Sequence, residues 1–202
     1  LKRITKVLVI TSCLTLAFSN IVFANVDNKS SNYVNVSNKE SDEKSFTVSG
    51  YEFTYQNAPE EVKKGYEKSC EEFNIEPSPD NIIFVPDDNV SLYNYLDEYK
   101  DARTWYDVSY SKSGGYFKVV GGSKNYTVST SVTVGYGYVT SGNPVHLVQL
   151  LCRNIAGVNI EPDSQFGSNT YNAVKTLQGK LGLTKDGIVG RQTWEAAGKR
   201  IP

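Results

Sequence analysis

The chain of 202 residues carries 21 basic and 22 acidic side chains, 39% hydrophobic residues and a single histidine. Those proportions suit one or two folded domains and exclude a chain that is disordered or membrane-embedded throughout.

The first stretch differs in kind from the rest. Lys2, Arg3 and Lys6 precede an apolar run from Val7 through Phe23, and Val22-Phe23-Ala24 offers β-branched or small residues before Asn25. A signal peptidase reads that order of charge, apolar run and small-residue exit. Residues 1–24 are therefore predicted to be a secretion signal, leaving a secreted, extracellular chain with no stable membrane anchor after cleavage. A membrane span is the alternative, but the run is short and polar-interrupted against the ~20 residues a span needs. Ile10-Thr11-Ser12-Cys13 is similar to a lipoprotein acylation box but lies too early to serve as one. Without Lys2, Arg3 and Lys6 the net charge is −4, divided as −7 over residues 25–142 and +3 over residues 143–202. A basic segment beside an acidic one suits approach to an anionic polymer, and equally suits an ordinary solvated surface.

Residues 25–44, rich in Asn, Ser, Lys, Glu and Asp, read as a disordered linker. From Ser45 apolar residues return. Phe46, Val48, Tyr51, Phe53 and Tyr55 suggest a hairpin turning at Ser49-Gly50. Ala58-Pro59-Glu60-Glu61 starts a helix to about Phe73, because Pro fits a first turn and acids suit the positive helix end. Val62, Tyr66, Cys70 and Phe73 share one face of it. Ile82 to Val85 is a short buried-strand candidate, and Ser91 caps a second helix bearing Leu92, Tyr95, Leu96 and Tyr99. The period then becomes two. Strands around Tyr106–Ser111 and Tyr116–Val120 join at Gly114-Gly115, and a last strand follows the Gly121–Asn125 turn, with Val128, Val132, Val134, Tyr136 and Tyr138 on one face. Residues 45–140 are thus predicted to be an α+β domain, an antiparallel sheet covered on one side by two helices.

Residues 144–202 read as an all-α module of three helices, about Pro144–Ile155, Ser168–Leu181 and from Gly190 onward. Asp163-Ser164-Gln165-Phe166-Gly167-Ser168-Asn169-Thr170 repeats 23 residues later as Asp186-Gly187-Ile188-Val189-Gly190-Arg191-Gln192-Thr193. Each copy sets an Asp-led turn, an inward apolar residue and a glycine before a helix. Together with Val145, Val148-Gln149, Gly157, Ala173-Val174, Leu177-Gln178, Gly182-Leu183 and Trp194, this frame is similar to the three-helix peptidoglycan-binding domain of the first type. Ser164 replaces the usual first Gly, Leu177 stands where Phe is typical, and Cys152 fills a slot often held by Leu. The resemblance implies a non-catalytic wall-binding module, of the kind attached to amidases, carboxypeptidases and spore-cortex lytic enzymes. Its partner would be peptidoglycan, through glycan strand or stem peptide, and the protein would lie at the cell wall.

Phe166, Val174, Leu177, Leu181 and much of Trp194 read as core. Exposed amides, hydroxyls and rings suited to a glycan or a short peptide are Gln165, Ser168, Asn169, Tyr171, Asn172, Arg191, Gln192 and the ring edge of Trp194; an Arg can pair with a stem-peptide carboxylate. Residues 45–140 hold no histidine, since the only one is His146, expected on a helix surface. A Ser/His/Asp or Cys/His site and a zinc peptidase site therefore lack their imidazoles there. A glycosidase needs only two carboxylates about 5–9.5 Å apart, and acids such as Glu60, Glu61, Glu71, Glu72, Asp87 and Asp88 are plentiful, although most read as solvated helix charges. Twelve tyrosines fall between Tyr51 and Tyr138 and can stack on sugars or on a protein partner; Tyr106, Tyr110 and Tyr136 read better as core. Cys70 and Cys152 fall in different predicted modules, and Cys152 reads as a small hydrophobe. The expectation is non-covalent binding with no cofactor, no metal and no nucleic-acid partner. The alternatives are a small carboxylate-based wall hydrolase and a protein-interaction module on the same helical frame.

Overall fold

A computed structural model describes residues 43–88, 96 and 98–202. The predicted signal segment, nearly all of the predicted linker and most of the helix expected from Ser91 lie outside the described residues. In chain order the elements are β1 (Glu43–Thr54), α1 (Glu60–Glu72), β2 (Ile82–Pro86), β3 (Arg103–Ser111), β4 (Tyr116–Gly121), β5 (Lys124–Ser129), α2 (Asn143–Ala156), α3 (Ser168–Lys180) and α4 (Arg191–Arg200). The strands form one antiparallel sheet in the order β2-β1-β3-β4-β5, curled into a half-barrel.

The expected hairpin at Ser49-Gly50 is absent, because β1 runs through those residues as one strand. The pattern misled for a physical reason. Side chains alternate between faces, so Phe46 and Val48 point one way while Tyr51 and Phe53 point the other. The switch in parity marks a change of buried face rather than a turn. Phe46 lies opposite Val108 and Val48 opposite Tyr106, on a face continuing through Phe117, Val119 and Val128. Tyr51 lies opposite Val85 and Phe53 opposite Ile83, and this other face packs on Val62, Tyr66 and Cys70 of α1. Buried on both faces, β2 reads as an unbroken apolar run. Gly50 is where the strand passes closest to its neighbour: a Cβ there would meet the Val85 carbonyl oxygen at 2.4 Å and the Phe84 ring at 2.8 Å.

The expected cover of two helices over the sheet is therefore corrected. The long apolar face is closed by α2, α3 and α4, which share one continuous core with it. Tyr110 and Phe117 from the sheet meet Gly198 and Trp194 of α4, with the Phe117 and Trp194 rings 5.6 Å apart. Every residue from Val145 through Arg153 of α2 is buried, because the helix has the sheet on one side and α3 and α4 on the other. His146, expected on a helix surface, is enclosed with it. The last predicted strand also ends early. β5 stops at Ser129, and residues beyond Thr130 leave the sheet to pair with the helical part, Val134 with Val189 and Ser141 with Gln165. Tyr136, expected in the core, is consequently 51% exposed. Cys70 and Cys152 are both buried free thiols.

Candidate functional site

The two repeated loops are built alike down to single hydrogen bonds. In the first, Asp163 Oδ1 accepts the Gln165 N–H at 2.8 Å. Gln149 of α2 reaches in from the preceding helix: its Nε2 donates to Asp163 Oδ1 at 2.6 Å and to the Gln165 carbonyl at 3.0 Å, and its Oε1 accepts the Ser164 N–H at 2.9 Å. In the second, Gln178 of α3 donates to Asp186 Oδ1 at 2.6 Å and to the Ile188 carbonyl at 3.0 Å, and accepts the Gly187 N–H at 2.9 Å. Asp186 in turn accepts the Ile188 N–H at 2.9 Å. A primary amide is the one neutral side chain able to donate twice and accept at once, which is what the loop presents. Ser164 and Gly187 occupy the same left-handed position, at φ 66° and 77°. The carboxylates nevertheless differ. Burial pushes Asp163 up from the usual carboxylate range, with the Gln165 N–H, Gln149 and Ser69 pulling against it. The Ile188 N–H and Gln178 hold Asp186 below that range.

The first loop forms one wall of a groove of about 970 Å³ between the C-terminal half of α1 and the N-terminal half of α3. Gly65, Ser69, Glu71, Glu72 and Phe73 line the α1 side, and residues 158–161 and Asp163 line the far end. Arg153 fixes that end by donating to the Ile160 carbonyl at 2.5 Å and to Asn159 Oδ1 at 3.0 Å, and by pairing with Asp88. Glu72 crosses the groove, its Oε1 accepting the Ser168 N–H at 2.6 Å. It thereby satisfies one of the free amides at the start of α3, where a negative charge is favoured. Gly167 leaves the space, since a Cβ there would meet Glu72 Oε2 at 2.6 Å.

Of the candidate binding residues, the groove brings together Gln165, Ser168, Asn169 and Asn172. Tyr171 lies one step round α3, its ring 5.6 Å from that of Tyr136 and under the Lys175 ammonium. Arg191 and Gln192 are exposed on the first turn of α4, the equivalent place in the second repeat, and do not line the groove. Trp194 has no exposed edge to offer a ligand: it is fully buried, with Nε1 donating to the Val132 carbonyl at 2.8 Å. The groove also includes Glu71 and Glu72, which the sequence suggests are solvated helix charges, and Lys68, which no motif singles out. A signal was present. Two acids in the last turn of a helix with no basic residue there oppose its dipole, and so call for a partner from elsewhere. Among the described residues, no group of three or more His, Cys, Asp or Glu side chains is arranged to hold a metal ion.

The fold is thus a half-barrel sheet closed by a helical unit with two Asp–Gln loops, with a polar groove between α1 and α3. Residues 44–112 match the family described as "Putative peptidoglycan-binding domain", and residues 141–197 match a second family of nearly identical description. The chain is 38% identical to a solved peptidoglycan-binding protein from Clostridioides difficile, with a TM-score of 0.65, covering 75% of this chain and 92% of that one. That structure is a complex with glutamine hydroxamate. The chain belongs to this peptidoglycan-binding protein family. No curated protein matches it.

Proposed function

We propose that the protein binds peptidoglycan non-covalently at the cell wall, and that the α1–α3 groove is the binding site. One observation carries this reading. The groove is lined jointly by segments that match two separate peptidoglycan-binding families, α1 from the first and the 158–176 region from the second. Its lining is rich in amides and hydroxyls, the groups that pair with acylated sugars and peptide bonds. The ligand of the related structure, glutamine hydroxamate, is an amino-acid derivative with an amide-like end, the chemistry of a stem peptide rather than of a bare sugar. Export through residues 1–24 delivers the chain to that polymer, and amino-terminal sequencing of the mature protein beginning at Asn25 would support it.

The test is co-sedimentation of the purified protein with insoluble peptidoglycan. The wild type sediments, and an Asn169→Ala/Asn172→Ala variant loses about tenfold in affinity, the size of roughly one lost polar contact. Undiminished sedimentation of that variant, with Arg191→Ala the one that fails, would move the site to α4. A second reading has one observation in its favour: Glu71, Glu72, Glu161 and Asp163 all border the groove, as a carboxylate-based hydrolase requires. Two of them are already committed to backbone N–H groups, Glu72 to Ser168 and Asp163 to Gln165. Release of soluble sugar or peptide into the supernatant, abolished by Glu71→Gln, would establish hydrolysis.

A further inference from the structure

The groove does not end with its acidic wall. A second concavity of about 520 Å³ runs along the next turns of α3, lined by Lys175, Gly179, Lys180 and Lys185. Asn172 and Thr176 belong to both, so the two form one track along the exposed side of the helix. Charge divides it cleanly. The first part gathers four carboxylates against one lysine, Lys68, and the second has three lysines and no acid. Gly179 is what lets Lys185 lie down into the track, because a Cβ there would meet Lys185 Cε at 2.6 Å.

We propose that this track takes a zwitterionic, uncrosslinked stem peptide in a fixed direction, with a free side-chain ammonium at Glu71 and Glu161 and the terminal carboxylate at Lys180 and Lys185. This rests on the wall-binding reading and specifies which part of the polymer is held. From Ser168 to Lys180 the helix rises about 18 Å, and the long, flexible Glu and Lys side chains at its two ends reach inward over part of that length. Asn172 and Thr176, a turn apart at the middle, face the peptide bonds between the two charged ends. Glu72 and Asp163 accept the Ser168 and Gln165 N–H groups and shape the pocket, and Glu71 is the other exposed acid on the α1 side. A crosslinked stem, in which either the amine or the carboxylate has become an amide, loses one of the two ends.

The experiment measures binding of a free stem tetrapeptide to the full chain by calorimetry, beside versions N-acetylated at the side-chain amine, amidated at the carboxylate, or both. Sedimentation with insoluble peptidoglycan is run in parallel. Each single modification weakens binding about tenfold, as loss of one charge-assisted contact does. Lys180→Gln/Lys185→Gln removes the penalty for amidation alone, and Glu71→Gln reduces the penalty for acetylation alone. Four peptides bound equally by a protein that still sediments would overturn the directional track and leave wall binding standing. Failure to sediment at all would bring down both readings together.

Discussion

Replacing Gln149 and Gln178 by Leu, one at a time, perturbs two hydrogen-bond networks that share three bonds, Gln149 adding a fourth to the Thr170 hydroxyl. Leu matches the size of Gln closely enough that packing changes little, so the cost is polar. Gln149→Leu strips the Ser164 N–H of its acceptor and removes a donor from Asp163 Oδ1, the Gln165 carbonyl and the Thr170 hydroxyl. An unsatisfied buried group costs about 1–3 kcal/mol, and more when it is charged. Asp163 is the deciding group. Burial already raises it despite its hydrogen bonds, so it has little water to fall back on, and the total comes to about 3–5 kcal/mol. Gln178→Leu removes one donor from Asp186, which its hydrogen bonds rather than burial dominate, so water replaces that bond, while the buried Gly187 N–H loses its acceptor. The cost there is about 1–2 kcal/mol. Urea denaturation with an unchanged m-value reads both numbers as shifts in midpoint. Equal losses, or a larger loss at Gln178, would refute the argument that the more buried carboxylate, with its added Thr170 bond, makes the first loop worth more.

Three further outcomes are expected. His146 is fully buried, with Nδ1 bonded to the Tyr126 hydroxyl at 2.7 Å, the Tyr106 ring packed against it, and its pKa driven well below normal by burial and then by Lys124. The unfolded chain therefore takes up a proton there that the folded one refuses. Stability is full above about pH 6.5 and declines as pH falls below it; His146→Phe, less stable at neutral pH, should show a flatter slope across pH 5–6.5 in the same titration, and an unchanged slope would count against it. Gly187→Ala forces a side chain into φ 77°, worth about 1–2 kcal/mol, and drives its Cβ to 2.0 Å from the Tyr171 ring. A loss of about 2–3 kcal/mol should shrink to the backbone part alone when Tyr171→Ala is added, and an additive pair would show the ring to be irrelevant. Phe117→Ala, in the sheet, opens a cavity beside Trp194 and costs about 3–5 kcal/mol. Because sheet and helices share a core, in a Trp105→Phe background that leaves Trp194 the one tryptophan, fluorescence and far-ultraviolet circular dichroism should shift to lower urea together. Fluorescence of Trp194 that stays put while the sheet melts would show the helical part unfolding on its own.

The helical frame was legible because its signals are local. Pro144 in a first turn, the glycines ahead of α3 and α4, and the spacing of Val145, Val148, Ala173, Val174 and Leu177 are all read within a few residues of one another. The Asp-led repeat likewise announced its turns, and the Gly114-Gly115 and Gly121–Asn125 hairpins closed where the alternation said they would. What each loop needs from a glutamine on the preceding helix is present in the sequence as residues but not as contacts, since nothing local ties Gln149 to Asp163.

The rest was decided by packing between distant segments. That α2 is buried all round, that β1 hides different faces along its length, and that residues beyond Thr130 abandon the sheet for Val189 and Gln165 all follow from one fact: the helices of the C-terminal part are the cover of the sheet. A period-two pattern reports that a face is buried, never by what. The groove has the same origin. Glu72 and Ser168 lie 96 residues apart and are joined by one hydrogen bond, so sequence alone supplied Ser168, Asn169 and Asn172 as one wall while only the tertiary fold supplied the acids of α1 as the other.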